Sequence, residues 1–292
     1  MIQLSNRQVS GIRQFSILLV RQLYILKTNI KKLLMIIFLP VVTAAIVGAV
    51  SGKDVFITYE DTKSTLFAII CVAIWIGLFN SIQEICQERK ILKREYMANL
   101  KLISYISSKF VVQAILCFFQ SAILLLVCSL FVKFPENGLV TNHFMLDALI
   151  SVYLIMLASD ALGLFISSLV KSGDIANIIA PVVLILQLVM SGALFELEGF
   201  AKSISNITFS KWGMECLGSI ADMNHLELYM IYYAKDDATR QTLESVMERK
   251  IDDGFIATSD HLIKTWLILI GFCLGLILIS SIILRLVSKD SR

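Results

Sequence analysis

The sequence is poor in what a catalytic or metal site needs. It has three histidines, His143, His225 and His261, and no two stand four apart with a glutamate on one helix, as a zinc protease would require. No serine or cysteine nucleophile has a histidine that the chain would bring to it, so an intramembrane enzyme is disfavoured. Six cysteines, at 71, 86, 117, 128, 216 and 273, form no CxxC pair. All but Cys86 and Cys216 fall in apolar runs, where a free thiol behaves as a small buried hydrophobe. That argues against a disulfide framework and a zinc site. A phosphate-binding loop is missing too: in Ser51-Gly52-Lys53, Gly48 stands one residue too close for GxxxxGK and Asp54 replaces the magnesium-binding hydroxyl. The amino terminus lacks the short apolar core and small-residue cleavage site of a signal peptide. Charge is scarce, at 17% of residues against about a quarter in soluble domains. The net charge of +3 is too small to argue for nucleic acid.

What the chain has instead is apolar length. Of its 292 residues 57% are hydrophobic, and the mean hydropathy is +0.78, which marks an integral membrane protein. Six stretches approach the roughly 20 helical residues that cross a bilayer: 33–50, 64–83, 105–132, 144–170, 174–195 and 262–286. The expected fold is all-α with six spans in a single domain over residues 1–292, kinked at Pro40 and Pro181. Cations concentrate before the first span (Arg7, Arg13, Arg21, Lys27, Lys31, Lys32), between the second and third (Arg89, Lys90, Lys93, Arg94, Lys101) and in the tail (Arg285, Lys289, Arg292). By the positive-inside rule both termini are cytoplasmic and the long 196–261 connection is external. The first span then serves as its own insertion signal.

Two further helices are expected at the membrane edge. Ile12, Phe15, Leu19, Leu23, Leu26 and Ile30 recur at helical spacing, so 11–31 reads as an interfacial amphipathic helix. Ile85, Leu92, Tyr96, Leu100 and Ile103 make a second stripe through residues 86–101, where QERKILKREYMANLK holds five cations and two carboxylates. In a helix, Lys90 and Arg94 are like charges four apart, as are Arg89 and Lys93, without offsetting pairs at those spacings. The charges therefore face lipid headgroups or another protein. In the external connection, Leu243, Val246, Met247 and Ile251 share one face of a small surface helix.

Ionisable residues inside spans mark function by default, and two stand out: Asp160, deep in the fourth, and Lys109, a turn inside the third. Asp160 reads either as a cation or proton site or as a buried structural carboxyl. The lack of further such groups near the midplane favours the second. Gly163, Ser167 and Ser168 of the fourth span, with Ser191, Gly192 and Ala193 at the end of the fifth, suit close backbone approach.

Three stretches carry a family resemblance. Glu88 to Glu95, ERKILKRE, followed by Tyr96 and by SYISSK ending at Lys109, is similar to the pattern that leads into the third span of type-2 ABC exporters, among them the G-subfamily half-transporters. Ala161 to Phe195 resembles their small-residue run, short turn and proline-bearing fifth span. Ser210 to Gly218, SKWGMECLG, resembles their re-entrant segment. Asn99 and Leu100 replace an expected Gly and Tyr, with one residue fewer before Lys109, which implies a continuous helix there. The single cysteine of the external connection departs from the animal members and fits a bacterial chain.

The resemblance implies a permease subunit in the cell membrane that pairs with a second permease, identical or homologous, and with two ABC ATPase subunits. The chain itself holds no cofactor, and the ATPase holds ATP and Mg. It implies that residues 86–101 form a coupling helix, with Glu88, Arg89, Arg94 and Glu95 facing the ATPase and Leu92 and Tyr96 facing the bundle. Anionic lipid alone would explain the cations but would repel the carboxylates. A translocation path between the second and fifth spans would be lined by Phe67, Trp75, Phe79, Leu184, Gln187 and Leu188. The alternative is an ATP-independent ion-coupled transporter or channel centred on Asp160, and a third reading is a membrane subunit that anchors or senses.

Overall fold

The computed structural model describes residues 10–195, 199–226 and 253–289, with backbone alone at 31–32 and 287–289. The described residues form helices and their connections, with no strand among them. In chain order the helices are α1 (Gly11–Thr28), α2 (Ile30–Ser51), α3 (Tyr59–Ser81), α4 (Arg89–Met97), α5 (Leu102–Cys128), α6 (Phe144–Leu169), α7 (Gly173–Val189), α8 (Gly199–Ser205), α9 (Phe209–Ile220) and α10 (Ser259–Lys289). The expected surface helix through Leu243 to Ile251, and the cations Arg7 and Arg292, lie outside the described residues, as do the side chains of Lys31, Lys32 and Lys289.

Among the described residues five helices, α2, α3, α5, α6 and α10, are long and apolar enough to cross a membrane. The stretch expected as a fifth span, 174–195, is helical only to Val189. At 1.5 Å per residue the 17 residues of α7 reach about 25 Å, and the chain then turns through Gly192, whose φ of +76° a side chain would resist. The helix begins where Ser172 accepts from the Ile175 N–H, as a cap residue should.

The centre of the bundle is a seam between α3 and α6. A Cβ on Gly77 would stand 2.2 Å from the Met156 carbonyl oxygen, and one on Gly163 2.2 Å from Ser81 Oγ. Glycine is therefore required at both places for the backbones to approach. The small neighbours also bond across the seam. Ser81 Oγ donates to the Asp160 carbonyl at 2.7 Å and Ser159 Oγ to the Ile74 carbonyl at 2.6 Å. These bonds use hydroxyls that hydrocarbon could not otherwise satisfy.

At the end away from α4, α9 is wedged among α3, α6 and α10. Gly213 meets Ile155 and Ile70, Cys216 Sγ donates to Thr265 Oγ1, and Ser210 N–H donates to Gln187 Oε1 of α7 at 3.3 Å. Also at that end, Asp147 in the first turn of α6 accepts from the N–H groups of Leu139, Val140 and Thr141. It thereby pins the preceding loop.

The packing of α1 differs from the stripe read in the sequence. Leu18 and Gln22 are the buried residues, while Ile12 and Leu23 are exposed and so is Ile30 at the start of α2. The stripe assumed one apolar side. Here one face packs on α5, and the opposite side is mixed, with Ile17, Val20 and Tyr24 exposed beside Arg13 and Lys27.

Candidate functional site

The site is built where α3 ends and α4 begins. After Ser81 the chain leaves the helix in a run of turns over 82–88. Two backbone N–H groups there, of Ile85 and Cys86, donate to a single acceptor, Ser167 Oγ of α6, at 3.0 and 3.1 Å. Arg89 Nη1 donates to the Val170 carbonyl at the end of α6, and Gln83 Nε2 to Asn177 Oδ1 of α7 at 2.6 Å. The entry to α4 is thus fastened to two other helices by polar bonds.

A charged cluster fastens the same segment to α5. Lys109, with a side chain 1% exposed, holds Glu84 and Glu88 at 3.0 Å each. Tyr105 Oη donates to Glu88 at 2.7 Å, and the Lys109 ammonium lies 5.4 Å from the centre of the Tyr105 ring. A buried ammonium is tolerated only when paired and hydrogen-bonded, and both conditions are met here. The two carboxylates would repel each other without that cation.

The far end of α4 is held by α1. Arg21 Nη1 meets Glu95 Oε1 at 2.5 Å, and Leu92, 2% exposed, packs with Leu18, Ile85, Leu102 and Tyr105. Tyr96 joins the same cluster from its edge. The continuous helix expected through Asn99 does not form: α4 stops at Met97, and Asn99 takes φ +68°, a conformation that asparagine tolerates better than most residues. Gln14 of α1 grips that turn twice, donating to the Asn99 carbonyl at 3.1 Å and accepting from the Lys101 N–H at 2.8 Å.

Of the residues expected to couple, Glu88, Arg89 and Glu95 therefore bond within the chain, and Leu92 and Tyr96 pack inward. Arg94 is exposed, together with Lys90, Ile91 (52%) and Met97 (62%). These four make a basic and apolar outer face on a helix whose other face is anchored to α1, α5 and α6.

The residues expected to line a path divide. Trp75 and Phe79 stack on the outside of α3 at 5.3 Å, and Phe67 and Leu188 are half-buried. Leu184 and Gln187 are buried, the latter against α9. Asp160 is 0% exposed, at the α3–α6 seam, where its backbone carbonyl accepts from Ser81 Oγ. Among the described residues no group of three or more His, Cys, Asp or Glu side chains could hold a metal ion.

Sequence reasoning missed Glu84, Ser167, Tyr105, Gln14 and Arg21 as parts of this assembly. Glu84 carried a signal: a carboxylate at the end of an apolar run, with Lys109 also placed inside one, asks for a mutual partner. The other four have partners that only the tertiary arrangement supplies.

The family model described as ABC-2 type transporter matches residues 13–220. A curated relative, the ABC transporter ATP-binding/permease protein Rv1747 of Mycobacterium tuberculosis (strain ATCC 25618 / H37Rv), is 26% identical over 222 residues, which is 72% of this chain. The match covers 26% of that relative's length, so the chain spans about a quarter of it.

Proposed function

The chain belongs to the ABC-2 type transporter family and is a multi-pass membrane component of an ABC transporter, and from that premise we propose that it is the translocating part of an ATP-driven exporter. The observation that carries this reading is α4: a short helix bonded to α1, α5 and α6 on one side, with Lys90, Ile91, Arg94 and Met97 exposed on the other. A helix tied at both ends to its neighbours, through Arg89 and Glu95, can pass a push from outside to the bundle. The source of the push is an ATP-binding unit beyond these 292 residues. The name of the mycobacterial relative joins ATP binding to a permease, and no phosphate-binding loop occurs in this sequence.

In the proposed arrangement α2, α3, α5, α6, α7 and α10 make six crossings, with α7 completed by the turn after Met190 and by α8 and α9 returning at the outer face. The α4 end and both termini are cytoplasmic, in keeping with the cations gathered there. Two such chains, identical or homologous, face each other across α3 and α7, each served by one ATPase that binds ATP and Mg. Nucleotide then biases two states of the pair, with α4 as the link between motor and membrane. The exposed Trp75–Phe79 stack and the apolar outer side of α7 would suit a hydrophobic or amphipathic cargo.

The reading is tested by purifying the chain from its native membrane and assaying for a co-purifying ATPase. Charge reversal on the exposed face, Arg94→Glu with Ile91→Glu, is expected to release that ATPase while the chain stays folded. Full retention of the ATPase by this variant, or full transport in a preparation with no ATPase, would overturn it. Loss of transport in Asp160→Asn with no effect from the α4 variant would favour the ion-coupled alternative.

A further inference from the structure

α2 carries Pro40 in its interior. Proline has no N–H, so the carbonyl four residues earlier, that of Ile36, loses its helical donor. In hydrocarbon no water takes that donor's place, and a neighbouring side chain must supply it. Gln120 of α5 supplies it. Its amide, 1% exposed, donates from Nε2 to the Ile36 carbonyl at 3.1 Å. The other end of that amide is bonded as well: Gln120 Oε1 accepts from Asn80 Nδ2 of α3 at 2.6 Å. Two turns earlier on α5, Gln113 Nε2 donates to the Asn80 carbonyl at 3.1 Å. A chain of amides therefore joins α2, α5 and α3 inside the bundle.

The consequence concerns α1. Only Asn29 separates α1 from α2, so the direction of α2 before Pro40 decides where α1 can lie. α1 in turn bears Arg21 and Gln14, which hold the far end of α4 through Glu95 and the Asn99 turn. A break in α2 without a substitute donor would leave two segments free to bend about it.

We propose that Gln120, oriented by Asn80, is the positioning residue of a joint in α2: it replaces the donor that Pro40 removes and so fixes the seat of α1 on α4. Since Asn80 directly follows Phe79 on α3, a movement of that helix would draw on Gln120 and reach α1 by a second route, independent of the 82–88 turn. The importance of this for transport rests on the function proposed above, whereas the joint itself does not.

The test uses the full chain purified from membranes with its bound partners. Gln120→Met keeps the shape and removes the hydrogen bonds. It is expected to lower the unfolding midpoint by roughly 2–4 °C. Pro40→Ala restores a backbone donor for Ile36, so in that background Gln120→Met should cost less than half as much. If Gln120→Met alone does not accumulate, recovery in the double variant gives the same answer. Equal losses in both backgrounds, or no recovery, would show that Gln120 does not serve Ile36 and would overturn the joint. The seat of α1 is read by disulfide formation between Arg21→Cys and Glu95→Cys. Its rate should fall severalfold when Gln120→Met is added and recover when Gln120 is restored. An unchanged rate would overturn the link to α1. Neither measurement reads ATP hydrolysis or transport, so failure here and failure of the transporter reading are separate results.

Discussion

The α3–α6 seam and α7 are both apolar, and both were expected as spans, yet they are attached in opposite ways. In α6, 72% of the most apolar window is buried, and its contact with α3 is so close that two glycines and two serine hydroxyls are needed to make it. α7 touches the bundle along one side, through Ala176, Ala180, Leu184 and Gln187, and leaves Ile178, Val182 and Ile185 exposed. Hydrophobicity alone does not separate a deeply buried helix from a peripheral one. What separates them is how closely the backbones approach, with glycine against the facing helix at the seam and alanine the smallest residue at the α7 contact, since in lipid close packing and hydrogen bonds hold helices together.

The contrast can be broken first at the seam. Gly77→Val places a branched side chain against the Met156 carbonyl, where backbone cannot yield. A loss of about 3 kcal/mol or more is expected, seen as failure to recover monodisperse protein. Recovery at full yield would mean that the seam is looser than described.

Next in size is the cluster that ties α5 to the 82–88 turn. Lys109→Met leaves Glu84 and Glu88 facing each other, and the cost should be about 2–3 kcal/mol, toward the lower end for a buried pair because the carboxylates are partly exposed. Neutralising both, Glu84→Gln with Glu88→Gln, should recover most of it. Thermal unfolding of the parent chain, Lys109→Met, the double Gln variant and all three changes together checks this. Additive losses would show that repulsion between the carboxylates is not the cause.

The Arg21–Glu95 pair is a third of the way exposed on each side, so Arg21→Ala should cost at most about 1 kcal/mol of stability. Its effect should appear instead as weaker retention of the ATPase by α4. The smallest change is expected on α7. Ile178→Ala and Val182→Ala should leave the stability of the isolated chain within about 0.5 kcal/mol, and yet weaken association between two chains. A drop of 2 kcal/mol in the isolated chain would mean that this face packs on the bundle, and the contrast with the seam would vanish.

Much of this was legible in the sequence. Hydropathy located the five long helices because a run of some twenty apolar residues has few alternatives to spanning. Charge located α4, since Arg89 to Arg94 could not belong to a span. The limits of α7 were not legible: 174–195 is apolar throughout, and the chain stops being helical after Val189 because Gly192 and the docking of Ser210 on Gln187 redirect it. Nor was the break at Asn99 legible, where an apolar stripe continues through Leu100 and Ile103 while the backbone turns. Gln120 and Gln14 went unnoticed, and Ser167 was read only as a small packing residue, because a polar residue in an apolar helix declares that it has a partner without declaring which one.

The central claim is that α4 receives force from a nucleotide-driven unit. The most direct measurement places a photo-crosslinking residue at Ile91, in membranes of the producing cell, and identifies what it captures with and without ATP. The account predicts an ATP-binding protein or domain, in a yield that changes with nucleotide. Capture of lipid alone, or labelling of Ile91 by an impermeant reagent from outside the cell, would contradict it.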